Sequence, residues 1–201
     1  MAVQYSTTHR TSAMTQLASS IGINAVIKIF SGAPPVTCAT ADSGTLGVTF
    51  AGNATQFGTA ASGVLTASAV ASANAAATIT AGYYRIYPSA ATTTNAVVQG
   101  LVAAQVVIAT SALTAANGNI LTFASTTGVA VGMSIAGTGV AAGSTVVAFT
   151  GTTVTMSLTS TAGVASAASI TFAADMVVTN TSIAGGQACN FTSLTITAFG
   201  A

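Results

Sequence analysis

Charge is almost missing from this chain. Across 201 residues the only acidic and basic side chains are Arg10, Lys28, Asp42, Arg85 and Asp175, and His9 is the single histidine. Charged residues fill 2% of positions, where a globular domain ordinarily has about 25%. Alanine, threonine, serine, glycine and valine take most of the remaining positions, and half the chain is apolar. Disorder goes with high net charge and low hydrophobicity, and neither holds here. A chain of this length buries on the order of 70% of its unfolded surface, so its core requires neither disulfides nor metal. A near-neutral surface gives little colloidal repulsion, which suits a symmetric assembly better than a concentrated solution of monomers.

The same scarcity excludes whole classes of function. Three cations cannot neutralise the several phosphates from which nucleic-acid affinity comes, so no nucleic-acid partner is expected. Catalysis needs titratable groups within mutual reach. His9 stands alone beside Arg10, and Asp42 and Asp175 lie in Ser/Gly- or Ala-rich stretches suited to turns. The expectation is therefore a protein with no catalytic residue, no cofactor and no metal site, since metal ligands are too few near one another. The run Gly137-Thr-Gly139-Val-Ala-Ala-Gly143 has the look of a phosphate loop but no lysine follows it, and it reads as a turn between strands. Cys38 and Cys189 stand in no metal-ligand spacing. They read as two small buried hydrophobes, the alternative being a disulfide.

No secretory signal is expected, because the first twenty residues contain no unbroken apolar core. The nearest approach to a membrane span is Ala96–Ala116, AVVQGLVAAQVVIATSALTAA. Gln99, Gly100, Gln105 and several hydroxyls interrupt it, and a lipid span needs about 20 predominantly apolar residues. The segment reads as strands, and no membrane partner is expected.

Periodicity predicts one helix near the N-terminus. Arg10, Met14, Leu17, Ala18 and Ile21 recur at helical spacing, Thr7 or Thr8 can cap the start, and Gly22 can stop it. Beyond it the pattern is β. Candidate strands cover Ala25–Phe30, Thr45–Phe50, Gly63–Val70, Ile79–Tyr87 and Ala96–Val102, with Gly-, Asn- and Ser-containing breaks between them. The Ser31–Pro35 stretch, SGAPP, is a loop because proline cannot donate to a ladder. The texture changes after residue 104. Short β-branched runs at Ile120–Phe123, Met133–Ile135, Thr145–Phe149, Thr153–Leu158 and Ser169–Phe172 alternate with Gly-centred turns, and Gly151-Thr-Thr153 reads as a tight hairpin link. Met176–Asn180 and Asn190–Phe199 then close the first pattern, with a bulge near Ser193.

These features predict an all-β chain: an antiparallel β-sandwich, jelly-roll-like, with a short N-terminal helix and an inserted small β lobe. Residues 1–104 plus 173–201 form the host domain and 105–172 the inserted module. Lys28 and Arg85 interrupt apolar strands, so each either faces solvent or pairs with Asp42 or Asp175. Tyr83, Tyr84 and Tyr87 alternate imperfectly, which puts one on the opposite face from its neighbour. An exposed tyrosine makes a good interface anchor, so the three are candidate interface residues. Val3 and Tyr5 are candidates too, in an N-terminal arm (Met1–Ser6) able to add to a neighbouring sheet edge.

The two ends of the chain together resemble a group of tailed-bacteriophage virion proteins. The resemblance is carried by YSTTHRTSAMTQL at 5–17, VIKIFSGAPP at 26–35, GTLGVTF at 44–50, FGTAASGVLTASAV at 57–70, YYRIYPS at 83–89 and TSIAGGQACNFTSLTITAF at 181–199. Separately, VGMSIAGTGVAAGSTV followed by GTTVTMS resembles a small β module of phage structural proteins. The resemblance implies a structural role in the virion, with head decoration or cementing ahead of tail, fibre or adhesin. It implies the major capsid protein as partner, homo-oligomers, and the outer capsid surface as location.

Overall fold

The computed structural model describes residues 5–68, 70–88 and 95–198, and in it the chain is all-β and sandwich-like with one helix. It divides into two compact units, one formed by residues 1–103 with 175–201 and the other by 104–174.

In the first unit the helix α1 spans Thr7–Ile21. Its cap is Ser6, not Thr7 or Thr8: Ser6 holds extended backbone angles and its hydroxyl accepts from the His9 amide. Three consecutive hydroxyl residues are near-equal caps by propensity, and backbone geometry selects among them. Gly22, at φ 72°, ends the helix and donates back to Ala18 O. Met14 and Ile21 are buried, with Leu17 and Ala18 packed beside them.

The strands β1 (Val26–Ser31), β2 (Leu46–Ala51), β3 (Val64–Thr66), β4 (Ala73–Asn74), β5 (Ile79–Tyr87) and β6 (Val98–Ala103) come before the second unit. Strands β7 to β12 lie within that unit, and β13 (Met176–Val178), β14 (Ser182–Ile183), β15 (Ala188–Cys189) and β16 (Phe191–Thr197) follow it. One curled sheet runs β2-β1-β5-β6-β13-β16-β3, with β14 added to the start of β5. Strands β4 and β15 make a separate pair. Side-chain alternation sorts the centre of this sheet into two faces. Phe50, Ile27 and Ile86 line up across β2, β1 and β5, as do Val48, Ile29 and Tyr84. These residues form the main core with Met14, Ile21, Met176 and Leu194. The register slips between Ser193 and Phe191 opposite Val177 and Val178, a bulge at the expected place.

Among the described strand pairs, β6 with β13 is the one that is parallel. A parallel pair cannot be joined by a hairpin and needs a long crossover. Residues 104–174 are that crossover.

The second unit contains β7 (Val106–Ala109), β8 (Ile120–Thr122), β9 (Ser134–Ala136), β10 (Val146–Phe149), β11 (Thr153–Met156) and β12 (Ser169–Ala173). They form two three-stranded sheets, β10-β11-β8 and β7-β12-β9. Leu121, Phe123, Met133, Ile135, Val146, Val154, Met156, Ile170 and Phe172 are buried, with Phe123 and Phe172 edge to face at 5.6 Å. The unit has an internal two-fold pattern. The arch from β7 to β8, TSALTAANG at 110–118, matches the arch from β11 to β12, STAGVASAA at 160–168. Thr110 N donates to Ala168 O and Ser160 N to Gly118 O. Asn117 N donates to Ser160 O and Ala167 N to Thr110 O, while Thr114 and Val164 exchange both of their bonds. Asn117 and Ala167 share a left-handed φ of 64°. The outgoing strand of each arch pairs with the incoming strand of the other, β8 with β11 and β12 with β7. The two halves are therefore interlocked.

Strands β6 and β13 overlap over only Val102–Ala103 against Met176–Val177. The crossover thus leaves and returns within a span that about four linker residues can bridge. Replacing 104–174 by a short Gly/Ser linker is expected to leave the first unit folded. Circular dichroism and a thermal melt check it: a retained cooperative transition is the expected result, and its loss would make the second unit part of the first unit's core.

Candidate functional site

Three of the five charges meet on one face of the curled sheet. On β5 the alternation places Tyr83, Arg85 and Tyr87 together, opposite to Tyr84 and Ile86. The partners of Arg85 in register are Lys28 on β1 and Gln99 on β6, so a polar row crosses three strands. Phe30 stacks on its cross-strand partner Tyr83 at 5.1 Å, and Val26, Tyr87 and Ala96 form a small second core with Cys38 against it. The connection between β1 and β2, residues 32–45, covers this face. Its two ends are tied at the strands, Ser31 N to Thr45 O and Thr45 N to Ser31 Oγ. Gly44 is required there: at φ 70° a Cβ would lie 2.1 Å from Ser31 O.

Arg85 holds the covering loop down. It is 1% exposed, and its Nη1 donates to Asp42 Oδ1 at 2.5 Å and to Thr40 O at 2.9 Å. Its Nη2 donates to Cys38 O at 2.6 Å and, at 3.4 Å, to Thr37 O. Tyr87 Oη donates to the same Asp42 oxygen. Tyr83 Oη donates to Ser43 O at 2.5 Å and accepts from Ser43 N, and Gln99 Nε2 donates to Pro35 O. Lys28 lies over the Tyr87 ring, 4.5 Å from its centroid. Burial, then the bond to Asp42, pushes the Tyr87 phenol above its ordinary range. Arg85 Nε and Gln99 Oε1 are buried without a protein partner, a local cost within an otherwise well-bonded cluster.

This geometry decides between the alternatives left open by the sequence. Arg85 is a buried ion-pair residue bound to Asp42, and Lys28 is half-buried over an aromatic ring. Tyr83, Tyr84 and Tyr87 do not stand as surface anchors. All three are buried, Tyr83 and Tyr87 under the loop and Tyr84 in the main core, because a nine-residue central strand is covered on both faces. Tyr5 is exposed and stacks on His9, itself exposed, at 5.1 Å. Val3 lies outside the described residues. Cys38 and Cys189 are free thiols.

A second acidic site lies at Asp175. Its carboxylate and the Tyr84 hydroxyl converge over Gly100, where a Cβ would be 2.5 Å from Asp175 Oδ2 and 2.8 Å from Tyr84 Oη. Burial pushes the Asp175 carboxyl up, and the Leu101 backbone N–H offsets part of that. Tyr84 is raised by burial and then by the Asp175 charge.

A cleft of about 110 Å3 lies beside β13 and β15, lined by Ile29, Val178, Ile183, Gln187, Cys189 and Asn190 among others. Small-molecule sites run to roughly 300–1,000 Å3, so this cleft is undersized for one. Burial raises the Cys189 thiol above its usual range, away from the reactive thiolate. Among the described residues no three His, Cys, Asp or Glu side chains gather as a metal site, and no helix is long and apolar enough to cross a membrane. Comparison with protein-family models, curated proteins and solved structures finds no match. What the arrangement can do chemically is fasten a loop to a sheet with charge-assisted hydrogen bonds.

Removing one partner of a buried pair is costly because the other stays buried and uncompensated. Asp42 is 35% exposed, so water can replace part of its contribution. Asp42→Ala is expected to destabilise by about 2–3 kcal/mol, below the usual range for a fully buried pair. Asp42→Ala with Arg85→Met is expected to cost less than the sum of the single changes. Urea unfolding of the four proteins closes the cycle, and additive losses would show that the two side chains do not act together.

Asp175 gives a pH signature of known sign. An acid whose folded pKa is raised adds stability below its unfolded pKa, and that stability is lost as pH rises through the folded value. Asp175→Asn is therefore expected to be more stable than the parent at neutral pH. The gain should shrink to nothing below the ordinary carboxylate range. Thermal melts across pH 3–8 in steps of about one unit check both parts.

Proposed function

We propose that this chain is a non-enzymatic structural protein of a tailed-phage virion, a decoration or cement protein that binds the outer capsid surface through uncharged contacts. The observation that carries the reading is where the charges sit. Arg85 and Asp42 are engaged in fastening the protein's own loop and Lys28 lies half-buried over the Tyr87 ring, which leaves the surface with almost no charge for partners. Exposed Ile23, Val36, Val107, Leu113, Ile120 and Phe149 supply apolar contact area instead. A partner for such a surface is another protein surface, recognised by shape, apolar burial and backbone or hydroxyl hydrogen bonds. The phage-like segments at 5–17, 26–35 and 181–199 point to a capsid as that surface. Repetition over a lattice would turn a modest interface per copy into a large collective stabilisation.

Binding of this kind depends weakly on salt. A surface ion pair contributes about 0–1 kcal/mol, small beside a standard interface of about 800 Å2 per partner. Retention on purified particles is expected to stay unchanged across a salt series, with hundreds of copies per particle by quantitative mass spectrometry. Release by moderate salt would overturn the uncharged-contact reading. A few copies per particle would favour a tail, fibre or adhesin component over a head protein.

A further inference from the structure

Residues 104–174 contain no Asp, Glu, Lys, Arg, His, Cys or Tyr, so this unit has no ionisable side chain at all. It also holds a sheet edge that carries no charge and no proline. Strand β10 is the terminal strand of β10-β11-β8. At its start, Val146 is tied back within the unit, accepting from Gly132 N and donating to Met133 O. Past that point Val147 and Phe149 are 49% and 44% exposed, and Ala148 between them is exposed too. The register slips between Val146 and Ala148, which leaves Val147 as the extra residue of a bulge. The outer face beside this edge is apolar and hydroxyl-bearing: Ala148, Thr155 and Ile120 stand in one row across the three strands, with Ile120 51% exposed. Natural proteins guard such edges with lysine, proline, inward-pointing charge, short strands or bulges. Strand β10 is short and bulged at Val147, but neither it nor the strands beside it carry lysine, proline or any charge.

We infer that β10 is a self-association edge, and that its partner is the β10 of a second copy of this chain. Two antiparallel copies of one edge strand are related by a two-fold axis, so the hydrogen-bonding pattern of the edge is complementary to itself. The charge argument selects the copy over an unrelated protein. An ordinary surface brings about one charged residue in four, and burying those charges against a face with no counter-charge is costly. A second copy brings none, and no repulsion opposes its approach. Joining the edges makes one six-stranded sheet and gives the open backbone groups of β10 partners. The pairing belongs to the protein alone, so it stands or falls independently of any capsid.

Sedimentation equilibrium of the full chain over a wide concentration range tests this. A monomer–dimer equilibrium is expected, and Val147→Lys or Phe149→Lys is expected to weaken it by at least about tenfold, since each brings a lysine near its own copy across the two-fold in an edge that supplies no counter-charge. Leu113→Lys, an exposed apolar residue on an arch away from β10, is expected to leave it unchanged. Hydrogen exchange on the unaltered protein gives a reading that does not depend on the variants folding: those amides of residues 147–149 that face away from β11, Phe149 among them, should gain protection as concentration rises. A monomer at every concentration, a dimer indifferent to both β10 lysines, or amides 147–149 with no concentration dependence would overturn the inference.

Discussion

The guanidinium of Arg85 is the point on which the first unit turns. It sits near the end of β5, buried, and reaches one carboxylate and three backbone carbonyls of a single loop. A lysine could not do this: the planar fork of arginine reaches several acceptors at once. The apolar side chains of the loop at 32–45 are small and turn formers are many, so its closure rests on this clamp together with the hydrogen bonds from Tyr83, Tyr87 and Gln99. With it closed, Tyr83, Tyr87, Phe30 and Val26 are covered, and the sheet becomes a two-faced layer. A structure with five charges thus places three of them where electrostatics acts most strongly, in a partly water-excluded site.

Connectivity follows from a second constraint. The parallel neighbours β6 and β13 need a crossover, and here the crossover is a folded unit with its own core. Its two arches exchange strands, so neither half has a complete sheet without the other. That interlocking suits a composition of small residues. Alanine, serine and threonine bury little area each, and strand exchange gives backbone hydrogen bonds the role that large side chains would otherwise fill.

Much of this was legible in the sequence where the signal was local. Ile79–Tyr87 announces itself through β-branched and aromatic residues ending at Pro88, and β10 and β11 through the Gly151 link. The strands Ala73–Asn74, Ser182–Ile183 and Ala188–Cys189 left no such trace, because alanine, asparagine and serine carry no strand preference and tertiary pairing alone makes them strands. The predicted strand at Gly63–Val70 shrinks to Val64–Thr66 for the same reason. The clamp was half legible. An arginine in an apolar strand required either solvent or a counter-ion, but Asp42 stands in a stretch of turn residues with nothing local to tie it to Arg85. The faces of the tyrosines were legible, Tyr84 standing opposite to Tyr83 and Tyr87, but their burial was not, because the loop that hides Tyr83 and Tyr87 is defined only by that long-range pairing.

Internal use of charge and external lack of it are one property seen from two sides. A surface with normal charge density could not bring Arg85 and Lys28 into adjacent strands without competing partners for Asp42. Here the neighbouring cation is Lys28, and it lies over the Tyr87 ring while Arg85 takes Asp42. The same economy removes the usual protection against sheet edges and neighbouring copies. In the proposed assembly, contact with other neutral protein surfaces would cover apolar groups otherwise left to water. Fold specificity from a few buried charges, combined with a surface that resists no neighbour, is the physical basis for reading this chain as a component of an assembly.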